Sequence, residues 1–359
     1  MKNLSNPVKP GGVIGILGGG QLGRMLAMAA SRLGLKTCIY SDENHAPAFQ
    51  VTPLHRTAGY TDRALLQGFA EICDVITFEF ENIPAESIAY LANVKPVRPG
   101  PRALASTQDR FTEKSFVVAL GLPTAAFFYV TSAEGARQDF ARLGGPAILK
   151  TRRLGYDGKG QARVTSADAA AKAFENLKRA PAILEGFVDF SFEASVVAAR
   201  GADGAFAAYD LPENEHEHHI LRRSTVPGRL TKAQGEEAKA MAKKIAEALD
   251  YIGVLAVELF VGKDGALLVN EIAPRVHNSG HWTIEACACS QFEQHIRAVA
   301  GWPLGDPTRH ADAVMENIIG AEVDAWESLA KSGALHLYGK RGSPPGRKMG
   351  HVTRLKPKT

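Results

Sequence analysis

Two glutamates in a predicted β-hairpin are the residues of this sequence best placed to do chemistry. The apolar runs VLAVELFV and ALLVNEIA carry Glu258 and Glu271, and a turn centred between Lys263 and Asp264 joins them. Strict alternation places both acids on one face as diagonal neighbours, roughly 7–8 Å apart, whereas Asn270 reaches that face only if the strand ends or bulges. A lone carboxylate is costly to bury among apolar residues, so the pair predicts one or two Mg²⁺ ions bridging the acids and nucleotide phosphates. The alternative is a solvated sheet face that carries two unrelated acids.

A glycine-rich loop follows the end of another apolar strand. Lys150 ends the run PAILK, and the sequence GYDGKG follows at residues 155–160. Glycines let a backbone approach phosphates closely and present its N–H groups, while lysines supply positive charge. No G-K-[ST] motif opens a helix here, so the loop is not a P-loop. Beside the paired acids, the loop predicts a lid over nucleotide phosphates, with an inert surface turn as the alternative.

The first predicted strand ends in a glycine pattern typical of dinucleotide-binding proteins. In VIGILGGGQLG, Gly18, Gly20 and Gly23 form G-x-G-x-x-G between an apolar strand and a helix. Asp42 lies at about the distance where such proteins hold a ribose. Tight strand-to-helix turns need glycine whatever they bind, so the pattern alone indicates only an anion near a helix N-terminus. An NAD-dependent oxidoreductase is therefore one alternative function.

The segment ENEHEHHILRR contains three histidines in four residues, which suggests zinc. Alternation places His216 and His218 on one strand face and His219 on the other, so the spacing does not bring the three histidines together as zinc ligands. A single histidine near a nucleotide is the preferred interpretation.

Two polar loops, APRVHNSGHW and HLYGKRGSPPGRKMG, are rich in basic residues and follow strands. Loops on a rigid scaffold are where ligands usually bind, so Arg275, Lys340 and Arg347 are candidates to clamp a phosphate or carboxylate. Exposed basic loops without a ligand are the alternative.

The elements that must position these residues change in type along the chain. The first hundred residues alternate strand and helix, which predicts a parallel sheet covered on both faces. Prolines near residues 96–101 mark a boundary, and antiparallel β-rich segments follow. Strands are predicted at 13–17, 36–40 and 74–78, and helices at 21–33, 62–71, 84–91, 108–120, 132–143, 232–249 and 284–300.

Composition restricts the class of protein. A chain of 359 residues with 45% hydrophobic and 22% charged residues fits two or three packed globular lobes. The sequence has no run of about 18 apolar residues that could span a bilayer, and residues 1–11 are expected to be a short disordered leader. A net charge of +4 with scattered basic residues favours a small anionic substrate over nucleic acid. The four cysteines lack zinc-ribbon spacing and indicate reduced thiols in a cytoplasmic protein.

The order of motifs resembles one enzyme family over about residues 12 to 353. GGGQLGRM, FEFENIP, GYDGKGQ, ENEH, LLVNEIAPR, HNSGHWT, SQFEQH and GRKMGH together resemble the N5-carboxyaminoimidazole ribonucleotide synthetases of the ATP-grasp superfamily. The resemblance implies an ATP-grasp fold of mixed α/β and α+β class, with a doubly wound pre-ATP-grasp domain at 12–108. It further implies an ATP-grasp region at 109–300, with its lid lobe at about 122–190, and a small C-terminal β-rich domain at 301–359.

The resemblance also implies a reaction in purine biosynthesis. ATP phosphorylates bicarbonate to carboxyphosphate, which carboxylates 5-aminoimidazole ribonucleotide and releases ADP and phosphate. ATP and Mg²⁺, as two ions, are the expected cofactors, and a homodimer without nucleic-acid or membrane partners is the expected assembly. Loss of the labile intermediate to water is prevented if a glycine-hinged lid closes before transfer.

Site residues are carried over by motif from the same resemblance. The ATP contacts implied are Arg110, Lys150, Gly155, Tyr156, Asp157, Gly158, Lys159, Gly160, Gln161, Glu185, Gly186, Phe187, Val188, Glu193, His216, Asn270 and Glu271. Glu258 and Glu271 are implied as the Mg²⁺ ligands. Contacts with the ribonucleotide are implied for Gln21, Leu22, Glu79, Tyr156, Asp157, Arg275, His277, Asn278, Lys340 and Arg347. Tyr156, Asp157, Arg275 and Lys340 are the expected catalytic residues, with Asp157 accepting the amine proton.

The sequence departs from the family pattern at Val276, where proline is usual, and this change is expected to loosen the loop without removing its neighbours Arg275 and His277. Another ATP-grasp ligase, such as the formate-dependent glycinamide ribonucleotide transformylase, is an alternative function. A nucleotide-sensing module that keeps the fold without turnover is a third alternative, and the intact Lys150, Asp157, Glu258 and Glu271 argue against it.

Overall fold

The computed structural model describes residues 6–153, 155 and 160–359, and its strands form three sheets. The first sheet and its helices are β1 (Val13–Leu17), α1 (Gln21–Arg32), β2 (Lys36–Ser41), β3 (Leu54–Thr57), α2 (Arg63–Glu71), β4 (Val75–Phe78) and α3 (Ala85–Val94). The strands are parallel in the order β3-β2-β1-β4. Alternate residues of β1 pack against α1 on one face and against α2 and α3 on the other. The parallel sheet predicted from the alternating pattern is therefore confirmed.

Two short helices, α4 (Pro101–Thr107) and α5 (Arg110–Ala119), connect this sheet to the next. Only α5 was predicted, over 108–120. Pro101 occupies the first turn of α4, where its missing N–H costs nothing. The Asp109 carboxylate begins α5 by accepting hydrogen bonds from two backbone N–H groups of the first turn.

The second sheet is antiparallel and lies within the segment expected to form the lid lobe. Its elements are β5 (Phe127–Val130), α6 (Ala133–Leu143), β6 (Ala147–Thr151), β7 (Gln161–Val164), α7 (Ala167–Asn176) and β8 (Ala182–Gly186). The strand order is β5-β8-β6-β7. Ser132 and Ser166 cap α6 and α7 at their N-termini, and the two helices pack together over a small apolar core.

The third sheet is the largest and runs through the rest of the chain. Its strands are β9 (Phe190–Arg200), β10 (Phe206–Ala208), β11 (Glu213–Glu217), β12 (Ile220–Val226), β13 (Gly253–Gly262), β14 (Leu267–Ala273), β15 (Asp312–Ile319), β16 (Ala334–Leu337) and β17 (Lys348–Lys356). They follow the order β14-β13-β9-β11-β12-β15-β17-β16, with β10 added on β9. The strands of the C-terminal segment thus continue the same sheet through the β12–β15 pairing.

Four helices accompany this sheet: α8 (Lys232–Ala248), α9 (Thr283–Ala286), α10 (Gln291–Ala300) and α11 (Trp326–Ser332). Alternate residues of β13 pack on α8 on one face and on α10 on the other, which holds the hairpin rigidly. The prediction of a single helix at 284–300 was wrong, because the segment forms two helices, α9 and α10. The backbone of Cys287 departs from the helix and forms an antiparallel β-bridge with Arg309. The Ser290 hydroxyl then caps the N-terminus of α10.

The expectation of a disordered leader at residues 1–11 was wrong for residues 6–11. Val8 is buried, its N–H donates to the Ala300 carbonyl at 2.9 Å, and its carbonyl accepts from the Trp302 indole at 2.7 Å. The segment lies against the end of α10 because it adds Val8 to the main apolar core. Residues 1–5 lie outside the described residues.

None of the helices formed by residues 6–153, 155 and 160–359 combines the length and the apolar character that crossing a membrane requires.

Candidate active site

The two glutamates of the hairpin face each other directly. The turn is closed by a hydrogen bond from the Gly262 N–H to the Ala266 carbonyl, and the register then shifts by one residue at Asn270. This β-bulge makes Glu258 the direct partner of Glu271, so their Cβ atoms lie about 4.5–5.5 Å apart. The predicted shared face is confirmed. The predicted diagonal placement was wrong because the turn is centred on Asp264, not between Lys263 and Asp264, and because the bulge at Asn270 shifts the pairing by one further residue.

Each glutamate is held by a basic residue from a different part of the chain. Arg110 Nη1 lies 3.1 Å from Glu271 Oε2, and His277 Nε2 lies 3.1 Å from Glu258 Oε1. Burial alone would raise the pKa of Glu258, but the hydrogen bond from His277 Nε2 and the nearby charge of Lys348 hold it below its usual value. Glu258 is therefore an ionised carboxylate at neutral pH.

The carboxylate oxygens of Glu258 and Glu271 fit Mg²⁺, which prefers oxygen ligands and binds proteins through one or two carboxylates plus substrate phosphates. No cluster of three or more histidine, cysteine, aspartate or glutamate side chains is arranged to hold a metal within the described ranges. Two carboxylates are a number that suits Mg²⁺ bound together with substrate phosphates.

A buried charge network connects this pair to the second sheet. Lys150 Nζ on β6 donates to Glu185 Oε2 on β8 at 2.9 Å, and Lys114 Nζ lies 3.6 Å from the same oxygen. Lys114 also donates to the Asn270 carbonyl at 3.1 Å. Burial would raise the pKa of Glu185, but the two lysines lower it. The predicted ATP residues Arg110, Lys150, Glu185 and Glu271 thus lie in one network, which Lys114 joins.

Glu113 is a second buried ionisable residue of α5 that sequence reasoning missed. Its Oε1 accepts a 2.6 Å hydrogen bond from the Ile272 N–H, beside the bulge. Burial and the neighbouring Glu271 raise the pKa of Glu113 well above its usual value. Charged residues are common on any helix, so nothing in the sequence distinguishes Glu113 or Lys114 from surface residues.

The remaining residues assigned to ATP lie at the edges of these sheets. Glu193 Oε2 on β9 and His216 Nδ1 on β11 are 2.5 Å apart. The Gly186 N–H donates to the Ala126 carbonyl, and Phe187, one third exposed, stacks under Arg163. Val188 follows Phe187 at the end of β8, and Gln161 at the start of β7 lies beside Gly160 and pairs with Lys150. The Gly155 carbonyl accepts from Arg110 at 3.2 Å.

Tyr156, Asp157, Gly158 and Lys159 lie outside the described residues, so their assignments stay predictions. His218 and His219 occupy the tight turn after β11, with positive φ values of 51° and 65°. Of the three histidines, His216 contacts Glu193, an acidic residue assigned to ATP.

The glycine turn after β1 surrounds a carboxylate of the protein itself. The Gly20 N–H donates to Glu79 Oε1 at 2.6 Å, and a Cβ on Gly18 would lie 2.8 Å from the same side chain. Gly18 has a φ of +108°, which also favours glycine. Burial raises the pKa of Glu79, against the Gly20 hydrogen bond and the positive charges of Arg275 and Lys340. Gln21 and Leu22 begin α1 at this turn.

The two polar loops contact residues that follow β2 and β4, near this turn. Arg275 Nε lies 2.9 Å from Glu81 Oε1, and Gln50 Nε2 donates to the Gly339 carbonyl next to Lys340 at 2.8 Å. Burial, Arg347 and Lys348 lower the pKa of Lys340 to about 8. Glu81, which follows Glu79 by two residues, was not predicted to take part.

Asn278 and Val276 complete the loop after β14. Both polar atoms of the Asn278 amide are buried and have no hydrogen-bond partner among the residues the structure describes. An unpaired buried amide is costly, so a ligand group that pairs with it would be stabilised there. Val276 is fully buried in the main core, and Arg275 Nη1 donates to its carbonyl at 3.0 Å. Arg347 Nη1 donates to the Arg341 carbonyl of its own loop at 2.6 Å.

Models of three protein families match the chain in succession. A ribonucleotide synthetase preATP-grasp domain matches residues 12–108, an ATP-grasp domain matches 115–292, and a phosphoribosylaminoimidazole carboxylase C-terminal domain matches 313–359. The matches define the chain as an ATP-grasp protein.

Individual proteins specify the family. The N5-carboxyaminoimidazole ribonucleotide synthase of Brucella melitensis is 53% identical over 98% of both chains, and that of Bacillus subtilis is 42% identical over 97% of this chain and 93% of the relative. An ADP complex of N5-carboxyaminoimidazole ribonucleotide synthetase has a TM-score of 0.95 at 40% identity, covering 98% of this chain and 94% of that one. The Aspergillus clavatus synthase in complex with ADP and 5-aminoimidazole ribonucleotide has a TM-score of 0.91 at 31% identity, covering 97% and 95%. This chain belongs to the N5-carboxyaminoimidazole ribonucleotide synthase family.

Proposed function

We propose that this protein carboxylates 5-aminoimidazole ribonucleotide to N5-carboxyaminoimidazole ribonucleotide, using ATP and bicarbonate and releasing ADP and phosphate. The observation that carries the proposal is the facing pair Glu258 and Glu271. Arg110, assigned to ATP, holds one acid at 3.1 Å, and His277, assigned to the ribonucleotide, holds the other at 3.1 Å. The pair therefore lies between the residues expected to bind the two organic substrates.

In the first step, an oxygen of bicarbonate attacks the γ-phosphorus of ATP, and the bond from that phosphorus to the β,γ-bridging oxygen breaks. Lys150 and Arg110 provide positive charge where the triphosphate is proposed to lie, which stabilises the negative charge on the transferred group. Mg²⁺ held by Glu258 and Glu271 would supply further stabilisation of that charge. The products of this step are ADP and carboxyphosphate.

In the second step, carboxyphosphate releases phosphate, and the exocyclic amine of the ribonucleotide forms a bond to the carbon of CO₂. Lys340 and Arg347 are proposed to bind the ribonucleotide phosphate, while Arg275 and Asn278 orient its ring. The amine must lose a proton, and we assign this proton to Asp157 on the resemblance alone, with Tyr156, the preceding residue in sequence, as a further catalytic candidate. The remaining assigned residues position ATP and the ribonucleotide around this reaction.

The proposal is tested by ADP release from ATP in a coupled assay, omitting bicarbonate or 5-aminoimidazole ribonucleotide in turn. We expect ADP formation to require both, and carbon-13 from labelled bicarbonate to appear in the carbamate product. ADP release that depends instead on formate and glycinamide ribonucleotide would assign the protein to the transformylase reaction.

We further propose that the protein acts as a homodimer in the cytoplasm. All four cysteines are buried free thiols, as is usual in a reducing compartment. The dimer rests on the family resemblance, and light scattering coupled to size-exclusion chromatography tests it: a mass near twice 38.5 kDa is expected.

A further inference from the structure

A continuous chain of hydrogen bonds runs from Glu258 into the interior of the third sheet. Beyond His277, the chain passes through side chains that have no part in the reaction as proposed above. His277 Nδ1 lies 2.9 Å from Ser279 Oγ, and Ser279 Oγ lies 2.7 Å from Ser195 Oγ. The Asn214 amide then donates to Ser195 Oγ at 3.0 Å. Ser195 and Ser279 are fully buried, and Asn214 is nearly so.

The direction of the bond at His277 follows from a backbone group. The Ser279 N–H points to His277 Nδ1 at a distance of 3.3 Å, and a backbone N–H can only donate. Nδ1 must therefore be an acceptor without a hydrogen. In a neutral imidazole the single hydrogen then lies on Nε2, which donates to Glu258 Oε1 at 3.1 Å.

The remaining hydrogen bonds of the chain are consistent with this arrangement. Ser224 Oγ donates to Asn214 Oδ1 at 2.7 Å, so the Asn214 amide presents its NH₂ group to Ser195. Because the Ser279 hydrogen is used at Nδ1 of His277, the Ser195 hydroxyl, which accepts from Asn214, donates its own hydrogen to Ser279. Ser279 in turn donates its hydrogen to Nδ1 of the histidine. Every hydroxyl in the chain thus donates toward His277.

We propose that Ser279, oriented by Ser195, is a positioning residue that fixes His277 as its Nε2–H tautomer and so aligns the Glu258 carboxylate for the divalent cation. The inference rests on the metal role proposed for Glu258. Groups that hold a metal ligand in place set both its orientation and its basicity, and their loss typically weakens metal binding by about 10- to 100-fold. With the hydrogen on Nδ1 instead, Nε2 would present a lone pair to a carboxylate oxygen, and the two acceptors would repel each other.

The tautomer is measured directly in the wild-type protein by nitrogen-15 NMR of histidine-labelled protein, with His277 assigned by its loss in His277→Gln. We expect Nδ1 to give an unprotonated, acceptor-type signal and Nε2 a protonated one. A protonated Nδ1 with an unprotonated Nε2 would overturn the proposal. Because this measurement needs only folded wild-type protein, it decides the matter even if variants in the buried chain do not fold.

The effect on the cation is measured by Mn²⁺ binding to the enzyme–ADP complex, followed by electron paramagnetic resonance. We expect Ser279→Ala to raise the Mn²⁺ dissociation constant about tenfold. Ser279→Cys, which keeps a weak donor, should give a smaller rise, and Ser328→Ala on the exposed face of α11 should give none.

Failure of this inference differs from failure of the proposed function. Unchanged Mn²⁺ binding and an unchanged His277 tautomer in a folded Ser279→Ala protein would reject the positioning role, even when wild-type turnover is normal. Absence of bicarbonate-dependent ADP release in the wild type would reject the function instead. The NMR measurement would still test the tautomer of His277 independently.

Discussion

The Glu79 side chain occupies the glycine turn after β1, where it accepts a 2.6 Å hydrogen bond from the Gly20 N–H. In a dinucleotide-binding protein this position belongs to the pyrophosphate of the cofactor. The turn has glycines because the Glu79 side chain lies close against its backbone. A Cβ atom at Gly18 or Gly20 would lie only 2.8–3.0 Å from that side chain. The G-x-G-x-x-G pattern therefore describes a backbone shape here and does not indicate NAD.

Ligand-induced stabilisation distinguishes the two cofactors. MgATP should raise the melting temperature, because a ligand that binds only the folded state adds about RT ln(1 + [L]/Kd) to its stability. NAD⁺ and NADH at the same concentration should leave the melting temperature unchanged, because the Glu79 side chain occupies the position of the dinucleotide pyrophosphate. Differential scanning fluorimetry provides the measurement, and the reverse pattern would favour the oxidoreductase.

Glu271→Gln should abolish ADP formation while the fold is preserved. The substitution keeps the size of the side chain but removes the charge that binds both Arg110 and the proposed cation, so a loss of at least about 10²-fold in kcat is expected. The coupled ADP assay measures the loss, and circular dichroism checks the fold. Glu236→Gln on the exposed part of α8 serves as the matched control. Near-normal activity of Glu271→Gln would remove this residue from the metal site.

Periodicity was sufficient to predict the parallel sheet and the hairpin, because each depends on a repeating pattern of buried positions. It was not sufficient for the register of the hairpin, since one extra residue at Asn270 changes which residues face each other without changing the apolar pattern. The break at Cys287 and the docking of Val8 depend on distant partners, Arg309 and Ala300, which no local window contains.

The candidate site was predicted mainly where motifs were distinctive. Glycines, paired acids and basic loops identified residues such as Lys150, Glu258 and Arg275. Glu81, Glu113 and Lys114 were missed, because each contacts partners far away in the chain and, for Glu113 and Lys114, because burial cannot be seen in a local window. Lys114, for example, is almost completely buried between the Thr124 hydroxyl and the Asn270 carbonyl.

Glu81→Gln should weaken binding of the ribonucleotide and leave ATP binding unchanged. Glu81 holds the Arg275 guanidinium at 2.9 Å, and loss of about 1 kcal/mol from this partly exposed ion pair corresponds to roughly a fivefold rise in KM. Steady-state kinetics with each substrate varied in turn provide the measurement. Glu86→Gln on the exposed start of α3 is the control, and a rise confined to the KM for ATP would contradict the assignment.

Activity should fall at alkaline pH through deprotonation of Lys340. Burial and the nearby Arg347 and Lys348 lower the pKa of Lys340 to about 8, so its ammonium group is present below that pH and is lost above it. The profile of kcat/KM reports groups of the free enzyme, so kcat/KM for the ribonucleotide should fall about tenfold per pH unit above pH 8. Arginine stays protonated in this range, so Lys340→Arg should flatten the decline. If kcat/KM of Lys340→Arg declines in the same way, the decline is caused by a different titrating group.

The central claim is that Glu258 and Glu271 hold a divalent cation together with the phosphates of ATP. Anomalous diffraction from Mn²⁺ in crystals grown with a non-hydrolysable ATP analogue tests this claim most directly. The account predicts anomalous density in contact with carboxylate oxygens of both glutamates and with the analogue's phosphates. Mn²⁺ density away from this pair, or a triphosphate bound at the glycine turn after β1, would contradict it.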